Sequence, residues 1–113
     1  MFTFLPQDGV LFSMDAFGQH YGTPERFDNA SDLDAVMDEA AAYYANILLP
    51  FGTPTAKAMA AAEKLPVRMI APSHGVIWRG HLDRILAGYK NWTSGAVRSK
   101  VVVLCDTMWG ATE

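Results

Sequence analysis

Apolar residues fall into two spacings along this chain, and the alternation between them outlines the elements. Met1 to Leu5 is short, aromatic and β-prone, and Val10-Leu11-Phe12-Ser13-Met14 is a second β-prone run. Gln7-Asp8-Gly9 between them is a tight-turn signal, so the spacing predicts a hairpin whose second strand is mostly apolar and buried. Leu33, Val36, Met37, Ala40, Tyr44, Ile47 and Leu48 then repeat at i, i+3, i+4, the stripe of an amphipathic helix. Ser31 with Asp34 three residues on predicts its start, and Pro50 and Gly52 its end. Thr53-Pro54 reads as a hydroxyl cap with proline at the first helical position, opening an Ala-rich helix that Leu65-Pro66 stops. Val67 to Ala71 reads as a third strand terminated by Pro72, with Val76-Ile77-Trp78 as a short extension. His81 to Trp92 forms a third helix with Leu82, Ile85, Leu86 and Tyr89 on its buried face. After a Thr93–Ala96 linker, Val97-Arg98-Ser99 leads into a last β-branched run, Lys100 to Asp106. The pattern is that of an α/β fold.

Composition narrows the class. With 113 residues, 50% hydrophobic and 19% charged, the chain reads as globular, not disordered. A net charge of −3 without any basic run excludes a nucleic-acid surface. The single cysteine, Cys105, excludes an intrachain disulfide and a Cys-based zinc site and fits a reducing compartment. No apolar run approaches the roughly 18 residues of a membrane span. The start lacks the basic and apolar regions of a signal peptide, which makes a cytoplasmic protein the expectation.

Chemistry gathers at strand ends. Asp15 directly follows the second strand and His74 closely follows the third. Asp15 reads either as a metal-ligating carboxylate or as a turn-forming aspartate that bonds the next amides. His74 reads as a ligand or as a structural histidine, and Gly75 beside it permits close backbone approach. His20 and His81 are weaker nitrogen candidates, His81 being expected to face solvent. An aspartate with one or two histidines suits iron, manganese or zinc, but a stable site needs at least three protein ligands. Tyr43 lies beside the apolar stripe and reads either as pointing along a rim or as a half-buried tyrosine with its hydroxyl in water. At the other end of the chain, Thr107 and Thr112 can donate hydroxyl hydrogen bonds to a phosphate, and the amides of Met108 to Ala111 can add more. Gly110 permits close approach, and Trp109 offers either a flat face for a ring or a packed aromatic. No lysine follows the glycine and no triplet of spaced glycines is present, so a mononucleotide phosphate fits better than a P-loop or a dinucleotide.

Four ordered motifs carry a resemblance. Asp15-Ala16-Phe17-Gly18-Gln19-His20-Tyr21, Tyr43-Tyr44-Ala45-Asn46-Ile47, Ala71-Pro72-Ser73-His74-Gly75 with Ile77-Trp78-Arg79, and Asp106-Thr107-Met108-Trp109-Gly110-Ala111-Thr112-Glu113 together resemble the flavodiiron proteins. That family joins a metallo-β-lactamase-like αββα sandwich carrying a non-haem diiron centre to a flavodoxin-like domain carrying FMN. Its members reduce oxygen to water, nitric oxide to nitrous oxide, or both. The resemblance implies that residues 1–96 are the later part of the diiron domain. Residues 97–113 would be the first strand and phosphate loop of the flavin domain. It implies that Asp15 bridges the two irons, that His74 is a late histidine ligand, and that Tyr43 hydrogen-bonds a bound diatomic. His20 becomes a neighbour of the ligands instead of a ligand. Thr107, Met108, Trp109, Gly110, Ala111 and Thr112 take the FMN phosphate. A rubredoxin-like or other redox donor and a head-to-tail homodimer are implied as partners.

The departures set further expectations. The family's His-x-Glu-x-Asp-His cluster and a further ligand histidine are absent, and their place in the family pattern is upstream of Met1. The flavin domain's body would lie beyond Glu113. Val76 stands where proline is common, and Ala111 where serine or asparagine is usual. The expectation is a fragment spanning a domain junction, which expressed alone binds neither a stoichiometric diiron centre nor FMN tightly and is inactive. The rival readings are a hydrolase of the metallo-β-lactamase superfamily, with a zinc-activated water, and a truncated remnant that binds no cofactor.

Overall fold

The computed structural model describes residues 2–96, 99–104 and 106. The expected hairpin forms. Strand β1 (Thr3–Leu5) pairs antiparallel with β2 (Val10–Met14) in the register Thr3↔Phe12, Phe4↔Leu11, Leu5↔Val10, and the Gly9 amide donates to the Leu5 carbonyl at 3.0 Å to close the turn. Strand β3 (Met69–Pro72) runs parallel to β2 on its other side, with Leu11↔Ile70 and Met14↔Pro72, giving the order β1-β2-β3. The Gly9 carbonyl accepts from the Arg68 and Met69 amides and so seats the start of β3. The third strand begins and ends later than the sequence suggests. It takes in Pro72, which lacks an N–H but keeps its place opposite Met14.

Period-two alternation sorts the sheet's faces. Leu11 and Ile70 point into a core with Val36, Ala40, Met59, Ile85 and Tyr89, contributed by three helices, whereas Phe12 and Met14 lie exposed on the opposite face. These helices are α1 (Leu33–Tyr43), α2 (Gly52–Ala62) and α3 (Leu82–Thr93). Helix α3 buries Ile85 and Tyr89 as its spacing requires, and α2 buries Met59 and Ala62.

The helix boundaries differ from expectation for identifiable reasons. Asp32, not Ser31, caps α1: its Oδ1 accepts from the Asp34 and Ala35 amides, both at 3.2 Å, while the Ser31 hydroxyl donates back to the Phe27 carbonyl. Asp32→Ala is expected to cost about 1 kcal/mol in urea unfolding, with Ser31→Ala costing less. Pro50 does not end the helical path. The chain passes from α1 through a π turn (Tyr44–Leu48) and a 3-10 turn (Leu49–Phe51, with Pro50 in its first turn) into α2. Thr53 therefore has no free helix end to cap. Instead Thr55 donates its hydroxyl to the Phe51 carbonyl at 2.8 Å.

Beyond α3, Ser99–Leu104 form no strand among the described residues, and Val101, Val102, Val103 and Leu104 are 69–93% exposed. The phosphate-loop positions Thr107, Met108, Trp109, Gly110, Ala111 and Thr112 lie outside the described residues.

Candidate metal centre and its supporting shell

Because β2 and β3 are parallel neighbours, their carboxyl ends open on the same edge of the sheet. Asp15 leaves the first end and His74 the second, and the Ser73 amide ties the two exits by donating to the Met14 carbonyl at 2.8 Å. The Asp15 Oδ1 and His74 Nε2 atoms stand 3.7 Å apart, with side chains 55% and 51% exposed. That separation exceeds a hydrogen bond. Two donors each about 2 Å from a shared ion lie at most about 4 Å apart, so the pair fits a common metal. A carboxylate with an imidazole is a donor set for iron, manganese or zinc. No cluster of three or more candidate ligands occurs among the described residues.

Two further side chains close around the pair. The His20 ring meets Tyr43 edge-on at 4.7 Å between centroids and His74 at 5.9 Å, and Tyr43 and His74 are 6.0 Å apart. His20 is thus a neighbour of the candidate ligands, as the motif suggests. Tyr43 departs from expectation: it is 3% exposed, not half in water. The apolar stripe of α1 is wide enough to include both Tyr43 and Tyr44. Tyr44 packs on Tyr89 and Trp92 in the core, while Tyr43 turns to the strand ends. Burial, and after it the Asp15 charge, raises the Tyr43 phenol above its ordinary value, so it keeps its proton and remains a donor.

His81, expected in solvent, is instead half-buried, with Nδ1 3.1 Å from Asp28 Oδ2. It stands apart from the edge just described. Asp28 is fully buried and also accepts from the amides of Arg79, Gly80 and His81 at 2.7–3.1 Å. Burial alone would raise its carboxyl. The amides of Gly80, Arg79 and His81, with the His81 ring, outweigh that and hold it below the usual carboxylate value.

Sequence reasoning missed the residues that hold the edge in shape. Gln19 is 1% exposed, and its Oε1 accepts from the Val76 amide at 2.7 Å. Its Nε2 donates to the Phe17 carbonyl at 2.9 Å and toward the Val76 carbonyl at 3.4 Å. Phe17, at φ 67°, is held from both sides. Its amide donates to the Tyr89 hydroxyl at 2.6 Å, and its carbonyl accepts from Trp78 Nε1 at 2.8 Å. The pair of glycines at 18 and 75 was the available signal. A Cβ on Gly18 would stand 3.0 Å from the Asp15 carbonyl and 3.4 Å from Tyr43, and Gly75 has φ +80° with its face against the Gln19 amide.

A parallel strand pair with helices on one face, ending in a carboxylate–imidazole edge, defines a mixed α/β fold. No protein-family profile matches the sequence. The chain is 47% identical to a nitric oxide reductase from Moorella thermoacetica, over 100% of this chain and 29% of that one. It is 41% identical to a coenzyme F420H2 oxidase from Methanothermobacter marburgensis, over 99% and 28%. The crystal structure of the flavodiiron protein from Giardia intestinalis superposes with a TM-score of 0.80 at 40% identity, covering 83% of this chain and 23% of that one. Over the stretch it spans, the chain is similar in sequence and in fold to flavodiiron proteins. It spans under a third of the length of the curated relatives it matches.

Proposed function

We propose that this chain is the site-bearing stretch of a flavodiiron oxidoreductase that reduces nitric oxide to nitrous oxide, oxygen to water, or both. The observation that carries the reading is the 3.7 Å approach of Asp15 Oδ1 to His74 Nε2 at adjacent parallel strand ends, in a chain whose whole length aligns with 29% of a nitric oxide reductase. Bound iron would supply redox-active coordination positions for the diatomic gas. Asp15 would contribute a carboxylate oxygen and His74 its Nε2 to hold that iron. Further ligands come from outside this stretch. Tyr43, kept protonated by burial, would offer a hydroxyl donor to a diatomic held at the same edge.

The same reading assigns residues 1–96 to the diiron domain and 97–113 to the start of a flavodoxin-like domain. There Thr107, Met108, Trp109, Gly110, Ala111 and Thr112 take the FMN phosphate. The exposure of Val101–Leu104 supports a strand whose sheet lies elsewhere. Bound FMN would supply one-electron chemistry between a rubredoxin-like or other donor and the diiron site, in a head-to-tail homodimer in the cytoplasm. No helix among the described residues is long and apolar enough to cross a membrane.

The test is metal and flavin analysis of the anaerobically purified full-length protein, followed by nitric oxide and oxygen consumption after reduction. A diiron centre, FMN and gas consumption are expected. Zinc in place of iron, with hydrolysis of an ester or amide and no gas consumption, would favour the hydrolase reading and overturn this one.

A further inference from the structure

We propose that Gln19 is the positioning residue that locks the His74 loop against the Asp15 loop, so that imidazole and carboxylate converge on one metal ion. The inference rests on the assignment of both residues as metal donors and goes on to say what makes their convergence stable.

Asp15 and His74 are 59 positions apart and come from different strands. Each follows its strand end through a loop, and loops left to themselves do not hold two side chains to within a fraction of an ångström. Gln19 joins the two loops through both its backbone and its side chain. Its amide N–H donates to the His74 carbonyl at 3.3 Å, and Oε1 accepts from the Val76 amide at 2.7 Å, two residues past His74. Nε2 returns to the Phe17 carbonyl at 2.9 Å, two residues past Asp15. The orientation of the amide is fixed by this network, because only Oε1 can accept from Val76 and only Nε2 can donate to carbonyls. Gly75 presses its Cα side on the Gln19 amide, where any Cβ would collide. The platform beneath is rigid: the Phe17 carbonyl also takes the Trp78 indole, and its amide the Tyr89 hydroxyl. Gln19 itself offers nothing to the ion, since its side chain is buried and both ends are engaged.

A merely structural glutamine would lower stability wherever the ligands stood. A positioning glutamine acts on metal affinity through His74, and a double-mutant cycle separates the two. Ferrous affinity of the full-length protein is measured anaerobically by chelator competition in Gln19→Ala, His74→Ala and the double variant, with thermal unfolding alongside. The expected result is an affinity loss of about 10–100-fold in Q19A, typical of groups that orient a ligand, and no further loss when Q19A is added to H74A. A loss of equal size in both backgrounds, or none in either, overturns the inference. Should Q19A not fold, Gln19→Glu decides in the same cycle. It keeps an acceptor for Val76 but faces a carbonyl with an oxygen, and its penalty must likewise vanish without His74. If H74A leaves affinity unchanged, the site assignment fails and this inference with it. If H74A lowers affinity and the Gln19 variants do not, only this inference fails.

Discussion

Gly75→Ala is expected to lower stability by about 3–5 kcal/mol in urea unfolding, among the largest effects of any single methyl group added to this protein. Two costs combine. At φ +80° an alanine pays the left-handed penalty of about 1–2 kcal/mol. The new Cβ also falls on the Gln19 side-chain amide, which has no room to retreat because it is buried and hydrogen-bonded at both ends. Pushing it aside breaks the bond to the Val76 amide and leaves buried polar groups unpaired, at about 1–3 kcal/mol. The neighbouring Ser73→Ala, whose backbone alone ties the strand exits, serves as the control and should change stability by less than about 0.5 kcal/mol.

Asp28→Ala carries a comparable cost by another route, about 3–5 kcal/mol, because it strips the acceptor from three backbone amides and the His81 ring at once. The milder Asp28→Asn isolates the charge and gives a pH signature. The folded carboxyl titrates below its ordinary value of 3.8, so the unfolded chain takes up the proton first as pH falls. The stabilising contribution is therefore fully present above that value and is lost as pH drops through the lower, folded one. The stability difference between wild type and D28N should be flat near neutral pH and shrink only below about pH 4.

Much of the frame was legible because it depends on local pattern. The hairpin follows from two apolar runs around Gln7-Asp8-Gly9, and the buried face of α3 from Leu82, Ile85, Leu86 and Tyr89. The meeting of Asp15 and His74 was legible only as two strand-end residues. Their approach depends on β2 and β3 being parallel neighbours, a pairing no local spacing records. The roles of Asp28 and Gln19 were not legible, because the amides that Asp28 accepts from and the Val76 amide on Gln19 Oε1 lie more than 50 positions away. Boundaries failed where one solution satisfied the same groups as another. Ser31 and Asp32 compete for the same helix end, and Thr53-Pro54 was read as a start because a π turn leaves no trace in composition. Tyr43 was misplaced by one notch of a stripe broad enough for two tyrosines.

The run Val101-Val102-Val103-Leu104 has a consequence for anyone handling the protein. Four adjacent β-prone apolar residues, each more than two-thirds exposed and paired with no strand among the described residues, are a template for intermolecular strand stacking. Lys100 and Asp106 flank the run, one on each side, and act as gatekeepers because like charges stacked in register repel. Neutralising Lys100 should therefore shorten the lag before fibrillar aggregates appear, and a second lysine within the run should lengthen it.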